Sequence, residues 1–285
     1  MLWGILFVFG LAIGSFLNVL ALRYDGEHFV LDPKVVGGRS HCPHCGKQLR
    51  WFELVPLASF AAQRGRCRNC RARLSIQYPF VELLSGAVFA GVPYELASYQ
   101  WLAPAGWMIL SAFWIAAFEA LLLIAIIDLR LSIIPDELTV FLGILAIFET
   151  VFAAAYLIPS EQSFLGIYAQ YFGWYGNVWA THLIGAAIGT GFFAVLVAVT
   201  RGRGMGMGDV KLGAPLGFLF GWPDIAFLYG FAFIAGAIVG VLLILRKMKT
   251  MRQAVPFGPF LVAASAFVFF FGAPSSAWYF RIIGL

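Results

Sequence analysis

Charge is scarce in this sequence. Of 285 residues only 12% are charged, and 61% are hydrophobic. Soluble domains carry about 25% charged and roughly 45–50% apolar residues. That scarcity excludes an ordinary water-soluble domain, and it is concentrated: the runs 103–117, 181–200 and 225–245 hold no Asp, Glu, Lys or Arg. Cysteine is also sparse, with four in the chain, all between positions 42 and 70, so no disulfide framework spreads over the molecule. A Gly-rich dinucleotide fingerprint after a strand is missing. No Ser or Cys nucleophile sits with a His and an acid, which leaves serine- and cysteine-hydrolase chemistry without support. No internal repeat or low-complexity tract stands out. The first apolar run lacks a basic start and a small-residue cleavage site, so 1–21 is expected to be a retained membrane helix.

What is present is a series of apolar segments. A span needs about 20 apolar residues, and about eight candidates appear: 2–21, 79–92, 103–127, 137–158, 181–200, 209–222, 224–245 and 257–280. The second is short, and Gly213, Pro215 and Gly217 are expected to interrupt the sixth, which should then face the bundle interior. The fold class is therefore an all-α polytopic membrane protein of about eight transmembrane helices with a small zinc-ribbon-like module. The expected organisation is a first transmembrane helix at 1–21, a cytoplasmic metal-binding module at 22–78 and a transmembrane catalytic-candidate domain at 79–285.

Alternating the segments from a cytoplasmic 22–78 loop puts 18 of the 19 Lys and Arg on one side, with only Arg281 opposite. Arg203, Lys249 and Arg252 are among them. Basic bias in short loops orients membrane proteins. The formal net charge of +5 thus reports topology, and no nucleic-acid partner is expected. The other side collects Tyr99, Trp101, Trp107, Trp174, Tyr175, Trp179, Trp222, Trp278 and Tyr279, as an interfacial aromatic belt does.

Two C-x2-C knuckles, Cys42 to Cys45 and Cys67 to Cys70, lie 21 residues apart. This spacing is metal-ribbon grammar. Four thiolates close the coordination sphere, so a structural rather than hydrolytic Zn2+ is expected. The rival reading, two disulfides, conflicts with a reducing cytoplasmic side. His41 and His44 are expected to be solvated neighbours.

Acids within membrane segments are expensive and by default functional. Asp128 ends an inward-running segment, and Asp209 opens an outward-running one after Gly204-Met-Gly206-Met-Gly208. Both are expected at one depth, although 81 residues apart. Two close carboxylates share a proton, and one can activate water while the other protonates a carbonyl. Gly206, Gly208 and Lys211 are the expected supporting loop. Taken singly, each Asp also reads as a helix cap or as a partner for Lys211 or Arg130. Asp136 and Asp224, each after a proline, read as N-terminal caps, and Glu119 and Glu149 as buried hydrogen-bond partners. Glu82 is the spare acid nearest the metal module.

With these residues in view, the chain resembles the bacterial type IV prepilin peptidase family, bifunctional leader peptidases and N-methyltransferases of the GxGD type. The resemblance rests on Gly14-Ser-Phe-Leu-Asn18-Val, Ser40-His-Cys-Pro-His-Cys, Trp51, Pro56, Arg64-Gly-Arg-Cys-Arg-Asn-Cys and Tyr78-Pro-Phe-Val-Glu82. It continues through Asp128 with Ile134-Pro135-Asp136, Gly206-Met-Gly-Asp209-Val-Lys211 and Pro256-Phe-Gly-Pro259-Phe. The resemblance implies Asp128 and Asp209 as catalytic aspartates. It implies prepilin and type II secretion pseudopilin substrates cleaved at the cytoplasmic face of the bacterial inner membrane. It also implies methylation of the new amino terminus from S-adenosylmethionine, with the methyl-donor region expected near Glu82 and Gly86. A peptidase without methyltransferase activity and a non-catalytic zinc-bearing membrane adaptor are the alternatives.

Overall fold

The computed structural model describes residues 2–99, 104–156, 163–172, 177–202, 204–248 and 255–282. Trp101, Trp174, Tyr175, Arg203, Lys249 and Arg252 lie outside the described residues. The described chain is helical: α1 (Leu2–Arg23), α2 (Pro33–Val36), α3 (Ala58–Ala62), α4 (Gln77–Glu95), α5 (Pro104–Leu131), α6 (Asp136–Tyr156), α7 (Val178–Thr200), α8 (Met207–Phe220), α9 (Asp224–Leu245) and α10 (Gly258–Ile282). Strand pairing among the described residues amounts to two isolated bridges, His41 with Gln48 and Arg66 with Arg73.

Eight of these helices fall on the eight expected segments. Six are long and apolar enough to cross a membrane, namely α1, α5, α6, α7, α9 and α10. The other two are α4, with Glu82 and an internal Pro93, and α8, with 14 residues. α8 begins and ends about two residues before the expected segment. Gly206 caps its start, and Gly221, at φ 72°, turns the chain out of the helix. The expected interruption of this segment is absent: the helix runs through Gly213, Pro215 and Gly217. Its interior position is as expected, with Leu212, Leu216, Leu219 and Phe220 all buried.

The chain forms two compact units, residues 1–127 and 128–285. In the first, α1 lies along α4 with almost no space between the backbones. A Cβ on Gly10 would meet the Ser85 carbonyl at 2.7 Å, and one on Gly14 would meet Glu82 Cα at 2.8 Å. Small residues permit this approach, and membrane helices use it for packing when no hydrophobic force drives them together. Polar clasps secure it. Ser85 Oγ donates to the Gly10 carbonyl at 2.7 Å, and Asn18 Nδ2 to the carbonyls of Gly14 and Tyr78, both at 3.2 Å.

In the second unit the same device joins α7 and α8. Gly185 and Gly189 face Gly217 and Gly213, and a Cβ on any of the four would come under 3.0 Å from the opposing backbone. Tyr229 of α9 donates its hydroxyl to the Gly189 carbonyl at 3.0 Å and closes the seam. Asp224 differs from its expected role as a terminal cap. It is fully buried and accepts from Ser163 Oγ at 2.6 Å and Phe164 N at 2.7 Å. It thereby ties down the 163–165 loop, whose Phe164 stacks on Phe220 and Phe269.

Candidate active site and metal centre

The second unit holds both aspartates at helix ends. Asp128 lies in the last turn of α5, and Asp209 in the first turn of α8. They are 5% and 8% exposed, and Asp128 is near enough for its charge to act on Asp209. Each carboxylate leans on a glycine. Gly258 N donates to Asp128 Oδ2 at 2.9 Å, and Gly206 N to Asp209 Oδ2 at 3.3 Å. Gly258 also leaves room for its partner, because a Cβ there would stand 2.6 Å from the same oxygen. Gly208 packs on Ile134, where a Cβ would meet the side chain at 3.2 Å. The loop glycines of 204–208 thus bring the start of α8 against the segment following Asp128.

Asp209 also fits the capping reading in part, since its carboxylate reaches back to the N–H of the cap residue. A cap is ordinarily solvated, whereas this one is buried. Lys211 does not pair with either of these two acids. Its Nζ bonds both oxygens of Asp136 at 2.8 Å, joining the starts of α8 and α6. Asp136 is therefore an ion-pair partner, where its position suggested a cap. Gly258 went unnoticed as a functional residue, although the Pro256-Phe-Gly-Pro259 stretch that contains it carried part of the resemblance.

The candidate metal centre lies in the first unit. The Sγ atoms of Cys42, Cys45, Cys67 and Cys70 all lie within 4.8 Å of one another, and all four are free thiols. Cys42 and Cys70 are 3.9 Å apart, close to the roughly 3.8 Å edge of a tetrahedron with metal–sulfur bonds near 2.3 Å. The donor set fits a metal ion and not two disulfides. The two knuckles share one backbone design. In each, the first Cys N bonds the carbonyl five residues on, Lys47 or Ala72, and the residue four on bonds back to the Cys carbonyl. That residue is left-handed in both, as Gly46 at φ 67° and Arg71 at φ 56°. Residues 40–49 and 65–74 are thus a structural repeat invisible in the residue identities.

Main-chain donors tune the thiols. The Lys47 N–H, then the Asn69 side chain, draw Cys45 down to about 6. The Cys70 and Asn69 N–H groups lower Cys67. The Ala72 N–H favours the Cys70 thiolate, but local desolvation and the neighbouring sulfurs outweigh it and push Cys70 up to about 11. The thiolate favoured at Cys45 and Cys67 is the form that ligates metal.

Glu82 Oε2 accepts from Leu57 N at 2.8 Å, so this acid pins the loop that joins the knuckles to α4. Gly86 is a packing residue, with Phe7 at 2.9 Å from a Cβ there. Glu119 and Glu149, expected to be hydrogen-bond partners, are buried, and among the described residues no hydrogen bond within ordinary geometry reaches either oxygen of Glu119 or Glu149 Oε2.

Comparison with known proteins covers most of the chain. Residues 8–96 match the Bacterial Peptidase A24 N-terminal domain, and residues 115–241 match the Type IV leader peptidase family. A protein named prepilin leader peptidase/N-methyltransferase from Bacillus subtilis (strain 168) is 32% identical, with 98% of each chain aligned. One of the same name from Burkholderia pseudomallei (strain 1026b) is 34% identical over 94% of this chain and 84% of its own. Another from Aeromonas hydrophila is 30% identical over 97% and 93%. No solved structure gives a significant match.

Proposed function

The chain belongs to the type IV leader peptidase family, and on that premise we propose that Asp128 and Asp209 cleave the peptide bond. The chain is a multi-pass membrane endopeptidase that removes the leader of prepilins and then N-methylates the new amino terminus. The observation that carries the site is the pair of buried, glycine-backed carboxylates at helix ends in one unit. Two such groups hold a single proton between them. The ionised one draws a proton from water, whose oxygen attacks the scissile carbonyl carbon. The protonated one donates to the carbonyl oxygen. As the resulting diol collapses, the first gives the proton it took from water to the leaving nitrogen and the second recovers its own from the diol hydroxyl, which releases the amine. The Gly258 N–H holds Asp128 in place throughout.

The substrates we assign are prepilins and type II secretion pseudopilins. The aspartate pair faces the cytoplasm at the bacterial inner membrane, as the Lys and Arg bias supports. Cys42, Cys45, Cys67 and Cys70 would hold zinc, which would supply a structural cross-link. The methyl donor is S-adenosylmethionine, which supplies an electrophilic methyl group to the amine. We place its region at Glu82, where a carboxylate complements a sulfonium charge, with Gly86 bringing α1 and α4 together there.

The test is purification of Asp128→Asn and Asp209→Asn with a prepilin substrate. Each is expected to fold, retain metal and lose cleavage. Cleavage by either folded variant removes that residue from the mechanism. Mass spectrometry of product amino termini from Glu82→Gln checks the second site: cleaved but unmethylated product is expected, and full methylation refutes the placement.

A further inference from the structure

The stretch between the knuckles is neither core nor ordinary loop. It reads Trp51-Phe-Glu-Leu-Val-Pro-Leu-Ala-Ser-Phe-Ala-Ala62; none of its apolar side chains is buried, and several are turned outward. Trp51 is 79% exposed, and Leu54 and Val55 about 40%. Its depth is fixed from within the unit. Leu57 N bonds Glu82, the sixth residue of α4, which lies roughly 7 Å along the helix from its start. The stretch is therefore held beside the first turns of α4, at the level where Glu82 packs on Gly14 of α1, a helix long and apolar enough to cross a membrane.

Its flanks are strongly basic. Between positions 39 and 76 stand Arg39, Lys47, Arg50, Arg64, Arg66, Arg68, Arg71 and Arg73 against a single acid, Glu53. That acid is used internally, accepting from Arg50 N at 2.9 Å. Even a dianionic metal–thiolate centre leaves the stretch cationic. Arg68 stands over the Phe52 ring at 5.3 Å, and Phe52 meets Trp51 edge-on, so the charge and the aromatic surface belong to one patch. Tryptophan beside arginine at headgroup level is the pattern of an interfacial anchor.

We propose that residues 51–62 lie in the plane of the membrane surface and dock the metal module onto anionic phospholipid headgroups through Trp51 and the surrounding arginines. The cationic surface of the module then serves lipid and not the basic leader of the substrate.

The test uses the full chain, labelled with fluorotryptophan, in nanodiscs of phosphatidylcholine alone or mixed equally with phosphatidylglycerol. The resonance missing in Trp51→Phe identifies the probe. In the mixed lipid, nitroxide-labelled phospholipid is expected to broaden that resonance, and an aqueous gadolinium chelate to leave it sharp. In phosphatidylcholine alone the protection falls. Arg66→Gln and Arg73→Gln, which spare the Phe52 contact, are each expected to lower the docked-to-undocked ratio about fivefold in mixed lipid. Free access of gadolinium to Trp51 in the mixed lipid overturns the proposal. So does equal protection in both lipids, because the anionic headgroup would then contribute nothing. Retained metal content certifies each variant as folded.

Discussion

Gly258→Ala is a demanding test of the Asp128 environment. A Cβ at this position would stand 2.6 Å from Asp128 Oδ2, and ordinary contact begins at 3.4 Å. The carboxylate must withdraw by about 0.8 Å, which it can do because it ends a rotatable side chain. The Gly258 N–H bond, now 2.9 Å, then stretches past the roughly 3.2 Å limit of a useful hydrogen bond. Losing a hydrogen bond to a charged group costs about 1.5–3 kcal/mol, and a displaced catalytic group costs rate as well. Cleavage, read as kcat/KM on a prepilin substrate, is expected to fall roughly ten- to hundredfold. The fold should survive, since alanine is a better helix former than glycine. Gly191→Ala is the control: nothing lies within 4 Å of a Cβ there, and activity should stay within about twofold. A folded, metal-replete Gly258→Ala enzyme as active as that control would refute the claim that this glycine positions Asp128.

Other outcomes follow from the packing and the metal centre. Gly217→Ala drives a Cβ into the α7 backbone and is expected to destabilise the unit by about 1–3 kcal/mol, read as a lower melting temperature in detergent; an unchanged midpoint contradicts the close seam. Arg71→Gly should relieve a left-handed residue, while Gly46→Ala creates one at the equivalent place. The two are expected to shift metal affinity oppositely, each by about 1 kcal/mol, in chelator competition, and shifts of the same sign refute the equivalence of the knuckles. After metal removal, alkylation at neutral pH should label Cys45 before Cys70, since Cys45 is drawn to about 6 and Cys70 pushed to about 11. Its thiolate form is present above about 6 and lost below it. Mass spectrometry reads the order, and labelling of Cys70 first contradicts it.

The helices were legible because hydropathy is a local property, and every expected segment holds a helix within a few residues. Asp128 and Asp209 could be singled out because each stands at the edge of an apolar run, and the cysteines because their spacing is itself a pattern. What the sequence withheld is pairing. Nothing local indicates that Gly258 would support Asp128, 130 residues away, or that Lys211 would choose Asp136 over its neighbour Asp209. Asp224 after Pro223 looks like a cap from sequence alone. Its burial depends on Ser163 and Phe164 arriving from a distant loop. The two C-x2-C pairs were visible, but the extent of the repeat around them was not, because the two copies share hydrogen bonds and dihedral angles and few other side chains.

The short length of α8 has a consequence for water. Its 14 residues make a rod of about 21 Å, against a hydrocarbon layer of about 30 Å. A rod of that length cannot bring both ends to the surfaces of a flat bilayer. Enclosed by protein rather than lipid, the helix leaves the missing depth to its flanking loops, and irregular backbone at membrane depth belongs where it lines a wet cavity. If the end that carries Asp209 is that place, hydrolysis requires no extraction of the substrate's apolar segment, because water already reaches below the surface there.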